Sequence, residues 1–144
     1  MAQTAGPTAA LAGVPTGLQA QGVWVGRRQL FVRFAAEAET ATMYTAQAIA
    51  QELKRAAGRS AFHSISIGAR DPLANVEFLR IAFEAGKPPL PIMLDVDGQR
   101  PDGIETLKKH LTLAQITLEG SSLDHFAERA MESLRVCKDA GLDH

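Results

Sequence analysis

Short apolar runs alternate with amphipathic stretches along most of the chain, and glycine, proline or charged residues separate them. Runs rich in branched and aromatic residues predict β-strands. These runs lie at residues 22–26, 30–34, 62–67, 91–96 and 113–118. Stretches with apolar residues three or four positions apart predict helices. These stretches lie at residues 42–57, 72–85, from 101 onward, and from 123 to 137.

This order gives four strand–helix units after the first short strand, which predicts an α/β fold with a parallel sheet. A complete eight-unit barrel needs roughly 200 residues or more, whereas this chain has 144. We therefore expect a partial (β/α) barrel of about four units, formed by residues 21–144. Residues 1–20 are rich in Ala, Gly, Thr and Pro and contain no charged side chain, so we expect them to form a flexible N-terminal tail.

Composition excludes several classes of protein. Hydrophobic residues make up 46% and charged residues 22%, as in ordinary globular domains. A formal net charge of -1 gives no indication of a nucleic-acid partner, and no apolar run reaches the length of a membrane span. The single cysteine, Cys137, makes neither an intrachain disulfide nor a cysteine-based metal site. We expect a cytoplasmic protein with no nucleic-acid or membrane partner.

Charged residues occur where each predicted strand ends. Ligands of parallel sheets bind at the carboxyl ends of the strands, so these residues predict a pocket at one rim. They are Arg33, Glu37, Arg70, Asp71, Asp95, Asp97 and Glu119. Solvated loop residues and helix caps are the competing interpretation, favoured for Glu119 and for Asp71, which precedes Pro72. Asp95 ends an apolar strand, where a carboxylate needs a partner.

Four motifs follow one another at characteristic spacing. They are Gly-Leu-Gln-Ala-Gln-Gly at 17–22 with Phe-Val-Arg at 31–33, His-Ser-Ile-Ser-Ile-Gly-Ala-Arg-Asp-Pro-Leu at 63–73, Leu-Asp-Val-Asp-Gly at 94–98, and the strand at 114–118. In this order they resemble the radical S-adenosylmethionine (SAM) enzymes, closest to the 7-carboxy-7-deazaguanine synthases. That family reads Ser-Leu-Gln-Gly-Glu-Gly, His-Ser-x-Ser-x-Thr-Gly-Gly-Glu-Pro-Leu and Leu-Glu-Thr-Asn-Gly at the first three. The resemblance covers residues 17 to about 120.

The resemblance also identifies what is missing. In the family a Cys-x-x-x-Cys-x-x-Cys loop after the Phe-Val-Arg strand holds a [4Fe–4S] cluster. The same register gives Glu37, Ala41 and Tyr44 here. Such clusters are held by thiolates, and oxygen ligands lack the required softness. The family uses [4Fe–4S], SAM and Mg²⁺, but we expect no cofactor in this chain.

The SAM-binding and substrate-binding positions are changed as well. Two family glycines that approach SAM correspond to Ala69 and Arg70, and we expect Arg70 to place a long cation in the cofactor space. Arg33 matches an arginine that binds a substrate carboxylate, although a salt bridge at the rim is an equal alternative. Gln19 and Gln21 match the substrate-binding opening segment. The SAM-loop positions correspond to Gly68, Ala69, Arg70, Asp71, Asp95 and Asp97.

The resulting expectation is a degenerate radical-SAM-like domain without radical activity, which binds a small carboxylated heterocycle or a partner protein. Family members have about six strand–helix units, so we expect a homodimer or a partner that completes the barrel. Residues 30–34 and 113–118 are the expected edge strands. One alternative is a metal-dependent enzyme that uses the carboxylate rim, and another is a truncated product with no independent function.

Overall fold

The computed structural model describes residues 6–37, 39–118 and 123–144. The strands are β1 (Thr8–Gly13), β2 (Thr16–Leu18), β3 (Arg28–Phe34), β4 (Thr42–Thr45), β5 (Ser64–Ala69), β6 (Ile92–Val96) and β7 (Leu113–Ile116). The helices are α1 (Ala46–Ala57), α2 (Val76–Ala85), α3 (Pro101–Leu107) and α4 (Leu123–Asp139). Short 3₁₀ turns cover Pro72–Asn75 and Lys108–His110.

All strands belong to one open sheet with the order β4-β1-β3-β5-β6-β7, and β2 also pairs with β3. Strands β3, β5, β6 and β7 are parallel neighbours in chain order. Strands β1 and β2 run antiparallel to β3. The α/β class and the mostly parallel sheet are therefore confirmed. Within the described residues, no helix is long and apolar enough to cross a membrane.

One face of the sheet packs against the helices and forms the hydrophobic core. Leu30, Val32 and Phe34 alternate along β3 and are at most 2% exposed, because side chains of a strand point to opposite faces in turn. Helix α1 contributes Ile49 and Leu53, which are four residues apart and both buried. Helices α1 to α4 contact one another in succession, which places them side by side on this face.

The expectation of a flexible tail over residues 1–20 is wrong for residues 8–18. Strand β1 pairs with both β3 and β4, and β2 pairs with β3. Pro15 lies in the break between β1 and β2, where its carbonyl accepts a hydrogen bond from the Phe31 N–H at 2.8 Å. Because β1 and β2 cover one side of β3, the expectation that residues 30–34 form an edge strand is also wrong.

Two local boundaries differ from the sequence prediction. Residues 22–26 form turns instead of a strand, and Gly22 and Gly26 have φ angles of +80° and +77°, which glycine adopts without steric cost. Residues 42–45 form β4, and α1 begins only after Thr45. The Thr45 hydroxyl accepts a hydrogen bond from the Ala48 N–H at 3.1 Å, which caps the helix.

Candidate functional site

The face of the sheet opposite the helices carries mostly polar side chains. Gln29, Ser64 and Ser66 are buried and alternate with core residues along their strands. Asp95 and Gln115 are register partners on β6 and β7, and the alternation of strand side chains places them on the same face. Buried polar groups need hydrogen-bond partners. Apolar packing therefore does not explain why polar side chains are buried on this face.

A hydrogen-bond network holds the β2–β3 loop over one end of the polar face. Gln19 Nε2 donates to Gln29 Oε1 at 3.0 Å, and Gln29 Nε2 donates to Ser64 Oγ at 2.9 Å. His63 Nδ1 lies 2.9 Å from Ser64 Oγ, and its ring packs edge-on against Trp24. The network lies at the amino-terminal ends of β3 and β5. Gln19 is therefore a buried structural residue away from the carboxyl-terminal rim.

A cavity of about 370 Å³ opens at the carboxyl ends of β5, β6 and β7. Its apolar wall includes Leu73, Val96 and Phe126. Concave sites that combine apolar walls with a few polar groups are typical of small-molecule binding, and this rim is where parallel sheets bind ligands. The sequence-predicted residues that meet in this cavity are Gln21, Ala69, Asp71, Asp95 and Asp97.

Arg100 also lines the cavity and was missed by the sequence analysis. Its Nε lies 2.9 and 3.1 Å from the two carboxylate oxygens of Asp71, and its Nη2 donates to Asp71 Oδ2 at 2.8 Å. These hydrogen bonds, and then the charge of Asp71, raise the pKa of Arg100. Both side chains are about half exposed, so the pair contributes less than about 1 kcal/mol to stability. The two residues are 29 positions apart, and no sequence signal separates Arg100 from other surface arginines.

The pairing of Asp71 replaces the helix-capping role expected for it. Asp71 precedes the 3₁₀ turn, but its side chain makes no capping hydrogen bond. Its φ angle is +40°, and that of Ala69 is +71°, a left-handed conformation that costs a non-glycine residue about 1 kcal/mol or more.

Gly68 packs against Asp95, since a Cβ at Gly68 would lie 3.4 Å from the Asp95 Cβ. Arg70, which the resemblance places in the cofactor space, is exposed and lies outside the lining of this cavity.

The other predicted positions lie outside this cavity. Arg33 is about half exposed, and its Nη2 lies 3.6 Å from Glu39 Oε1, so the structure pairs it at the rim. Glu37 and Ala41 are exposed in the loop between β3 and β4, and Tyr44 is half-buried within β4. The cavity therefore contains only part of the predicted site.

The residues present do not fit an iron–sulfur cluster. The three aligned positions offer a carboxylate, a methyl group and a phenol, whereas such clusters need thiolates. The single thiol, Cys137, is buried in α4, and burial raises its pKa. Within residues 6–37, 39–118 and 123–144, no group of three or more His, Cys, Asp or Glu side chains is arranged to hold a metal ion. Glu119 lies outside the described residues.

Gln115 is a second residue that the sequence analysis missed. Its amide nitrogen and oxygen are buried and have no hydrogen-bond partner among the described residues. Gly22 covers this amide so closely that a Cβ at Gly22 would lie 1.8 Å from Gln115 Oε1. An unsatisfied buried amide costs about 1–3 kcal/mol, so the Gln115 side chain destabilises the fold locally, under the β2–β3 loop.

Comparison with known proteins gives no family assignment. A scan against protein-family models finds no match, and a search of curated proteins finds no match. The cavity geometry and the motif order are therefore the two grounds for a functional proposal.

Proposed function

We propose that this chain is a small-molecule-binding domain on a radical-SAM-like scaffold that has lost radical chemistry. The observation that carries the proposal is the cavity of about 370 Å³ at the carboxyl ends of β5, β6 and β7. Its combination of apolar walls and carboxylates suits a small polar molecule with an aromatic or heterocyclic body.

Two features support the radical-SAM-like scaffold. The parallel strands β3, β5, β6 and β7 are neighbours in chain order, and the helices that follow them pack side by side, as expected for a partial barrel of four units. Ala69 has a left-handed φ of +71° at a position where the resembling family has glycine. Glycine adopts this conformation without cost, so the alanine is consistent with a replaced cofactor-binding glycine.

The lost cysteines support the absence of radical chemistry. Reductive cleavage of SAM needs the cluster, because the cofactor carries out the difficult step. Glu37, Ala41 and Tyr44 provide no thiolate. Without iron to bind the methionine end of SAM, we expect its dissociation constant to be no lower than roughly millimolar, a loss of about 4 kcal/mol relative to a micromolar site.

The charges in the cavity favour a cationic ligand over a carboxylated one. Asp71, Asp95 and Asp97 outnumber Arg100 in the lining, and the guanidinium of Arg100 already pairs with Asp71. A ligand carboxylate would therefore meet a negative potential. Arg33, the residue expected to bind a carboxylate, lies outside the cavity lining. The carboxylated heterocycle implied by the resemblance is thus the weaker candidate.

Three related compounds test this proposal: 7-deazaguanine and its 7-carboxy and 7-aminomethyl derivatives. They share one ring system and differ in charge. We expect the aminomethyl compound to bind at least about tenfold more tightly than the carboxy compound, which corresponds to about 1.4 kcal/mol, because its ammonium group faces the carboxylates. Isothermal titration calorimetry measures the three dissociation constants.

A matched pair of variants tests whether the carboxylates of this cavity cause the preference for the aminomethyl compound. Asp97→Asn removes one cavity carboxylate but keeps the oxygen that accepts the Gln99 N–H, so the preference for the aminomethyl compound should shrink. Asp102→Asn removes an exposed carboxylate outside this cavity, so the preference should not change. The proposal fails if none of the three compounds binds better than roughly millimolar, or if the carboxy compound binds most tightly.

A further inference from the structure

The β2–β3 loop, residues 19–27, crosses the polar face of the sheet. On one side Trp24 packs edge-on against His63, with ring centroids 4.8 Å apart, next to the amino-terminal end of β5. On the other side Gln21 lines the carboxylate-lined cavity at the carboxyl ends of β5, β6 and β7, and Gly22 contacts β7. The loop therefore covers part of the face that carries the buried polar side chains.

Gln115 lies directly beside the carboxylate-lined cavity. Its register partner on β6 is Asp95, which lines that cavity, and neighbouring strands are roughly 5 Å apart. The loop residue Gln21 forms part of the cavity wall, and the next residue, Gly22, lies over the Gln115 amide. Moving these two loop residues away therefore extends the cavity onto Gln115.

The Gln115 amide has no hydrogen bond while the loop covers it. Its Nε2 and Oε1 are both buried, and neither has a partner among the described residues. An amide of this kind is stabilised by any arrangement that gives its N–H an acceptor and its oxygen a donor. The full hydrogen-bonding capacity of this amide is therefore available to a ligand.

The tip of the β2–β3 loop is weakly held. Backbone hydrogen bonds of 2.8 and 2.9 Å between Gln19 and residues 26–27 close the base of the loop. Two further backbone hydrogen bonds lie within residues 22–27, so they are kept when the tip moves as a unit. Both valines of the loop are largely exposed. Segments that bury little apolar surface open at low cost, so the tip can move while its base stays in place.

We propose that the β2–β3 loop is a lid, and that a ligand of the carboxylate-lined cavity displaces it and pairs with the Gln115 amide. This inference rests on the proposed small-molecule function and adds the class of ligand. A glutamine amide presents an N–H donor beside a carbonyl acceptor, so it forms two parallel hydrogen bonds with a ring that has an acceptor beside a donor. The ligand is a heterocycle with a cyclic amide edge.

Calorimetry with 7-aminomethyl-7-deazaguanine tests the role of Gln115, because this compound has both a cyclic amide and the cationic group that the cavity favours. Gln115→Met keeps the side-chain length but removes both polar atoms, so the dissociation constant should rise at least about tenfold. Gln51→Met is the matched control. Gln51 is exposed on α1, which packs on the other face of the sheet, so this variant should bind as the wild type does.

Trp24 is the single tryptophan of the chain and reports the position of the lid. Binding of the aminomethyl compound should move Trp24 away from His63. Acrylamide should therefore quench its fluorescence more strongly in the liganded wild type, and in liganded Gln51→Met, than in the same proteins without ligand. A compound that binds without this change in quenching would show that the lid stays closed, and would overturn the proposal.

Thermal unfolding without ligand separates a binding role of Gln115 from a structural one. Gln115→Met should melt at the same temperature as the wild type or above it, because the substitution removes no hydrogen bond. A melting temperature lower by more than about 4 °C would show that the amide is already bonded in the closed chain, and would overturn the proposal.

The binding results distinguish this inference from the proposed function. Equal affinity of the wild type and Gln115→Met for the aminomethyl compound would overturn the role of Gln115, while the cavity would remain a binding site. A wild type that binds none of the three deazaguanine compounds would instead refute the proposed function, and the lid proposal with it.

Discussion

Replacing Phe34 by alanine is expected to lower the free energy of unfolding by about 4 kcal/mol. Phe34 ends β3 and is 2% exposed. Its ring packs edge-on against Phe78 of α2, with centroids 6.3 Å apart and planes at 85°. The substitution removes this contact and leaves a cavity between the sheet and the helices, and both losses destabilise the core. Urea unfolding followed by circular dichroism measures the change.

Phe126→Ala is the control for this variant. Phe126 is 45% exposed, so its loss should change the free energy of unfolding by less than about 0.5–1 kcal/mol. A Phe34→Ala variant as stable as the Phe126→Ala variant would contradict the described core. A wild-type chain that unfolds without a cooperative transition would instead favour the alternative of a truncated product that does not fold independently.

Replacing Gly98 by alanine is expected to lower the free energy of unfolding by about 3 kcal/mol. Gly98 has a φ of +75°, and a Cβ there would lie 2.9 Å from Ile116 Cγ2 and 3.0 Å from the Ala130 Cα. The Ala130 Cα belongs to the α4 backbone and does not move as freely as a side chain. The Gly98 carbonyl also accepts a hydrogen bond from the buried Ser133 hydroxyl at 2.7 Å, which ties the loop to α4.

Gly26→Ala separates the two causes of the stability loss expected for Gly98→Ala, which are the backbone cost of a positive φ and the close contact of the added Cβ with Ile116 and α4. Gly26 has a similar φ of +77°, but a Cβ there would have nothing within 4 Å. This variant should therefore lose only the backbone cost of about 1–2 kcal/mol. Thermal unfolding of both variants gives the comparison. Equal losses for Gly98→Ala and Gly26→Ala would show that the close contact between Gly98 and α4 does not exist in solution.

The central parallel strands and their helices could be predicted because their patterns are local. Strands β3, β5, β6 and β7 each have the branched or aromatic apolar residues typical of buried strands. Strands β1 and β2 could not be predicted, because Ala, Gly and Thr residues there give no clear alternation. Their pairing depends on the neighbouring strands β3 and β4, and strand propensity is strongly set by tertiary context. Proline disfavours strand interiors, but Pro15 lies in the break between β1 and β2 and so interrupts neither strand.

The candidate site could be predicted only where strand order alone brings residues together. Asp71 comes just after β5, Asp95 lies near the end of β6 and Asp97 directly follows it, so their meeting at one rim follows from the topology. Arg100 and Gln115 were missed because what singles them out is contact with residues distant in sequence, Asp71 for Arg100 and Gly22 for Gln115. The position of Gln19 could not be predicted, because it depends on β2 running antiparallel to β3, which puts the end of β2 beside the amino-terminal end of β3.

Iron content after anaerobic reconstitution is the measurement that most directly tests the proposal that this chain is a radical-SAM-like domain without radical chemistry. The purified chain is incubated with iron and sulfide, desalted, and assayed for iron and visible absorbance. Under the proposed resemblance, Glu37, Ala41 and Tyr44 correspond to the three cluster cysteines and provide no thiolate, so we predict a colourless protein with well under one iron per chain. A brown protein with about four irons per chain would contradict the account, since it would contain a [4Fe–4S] cluster.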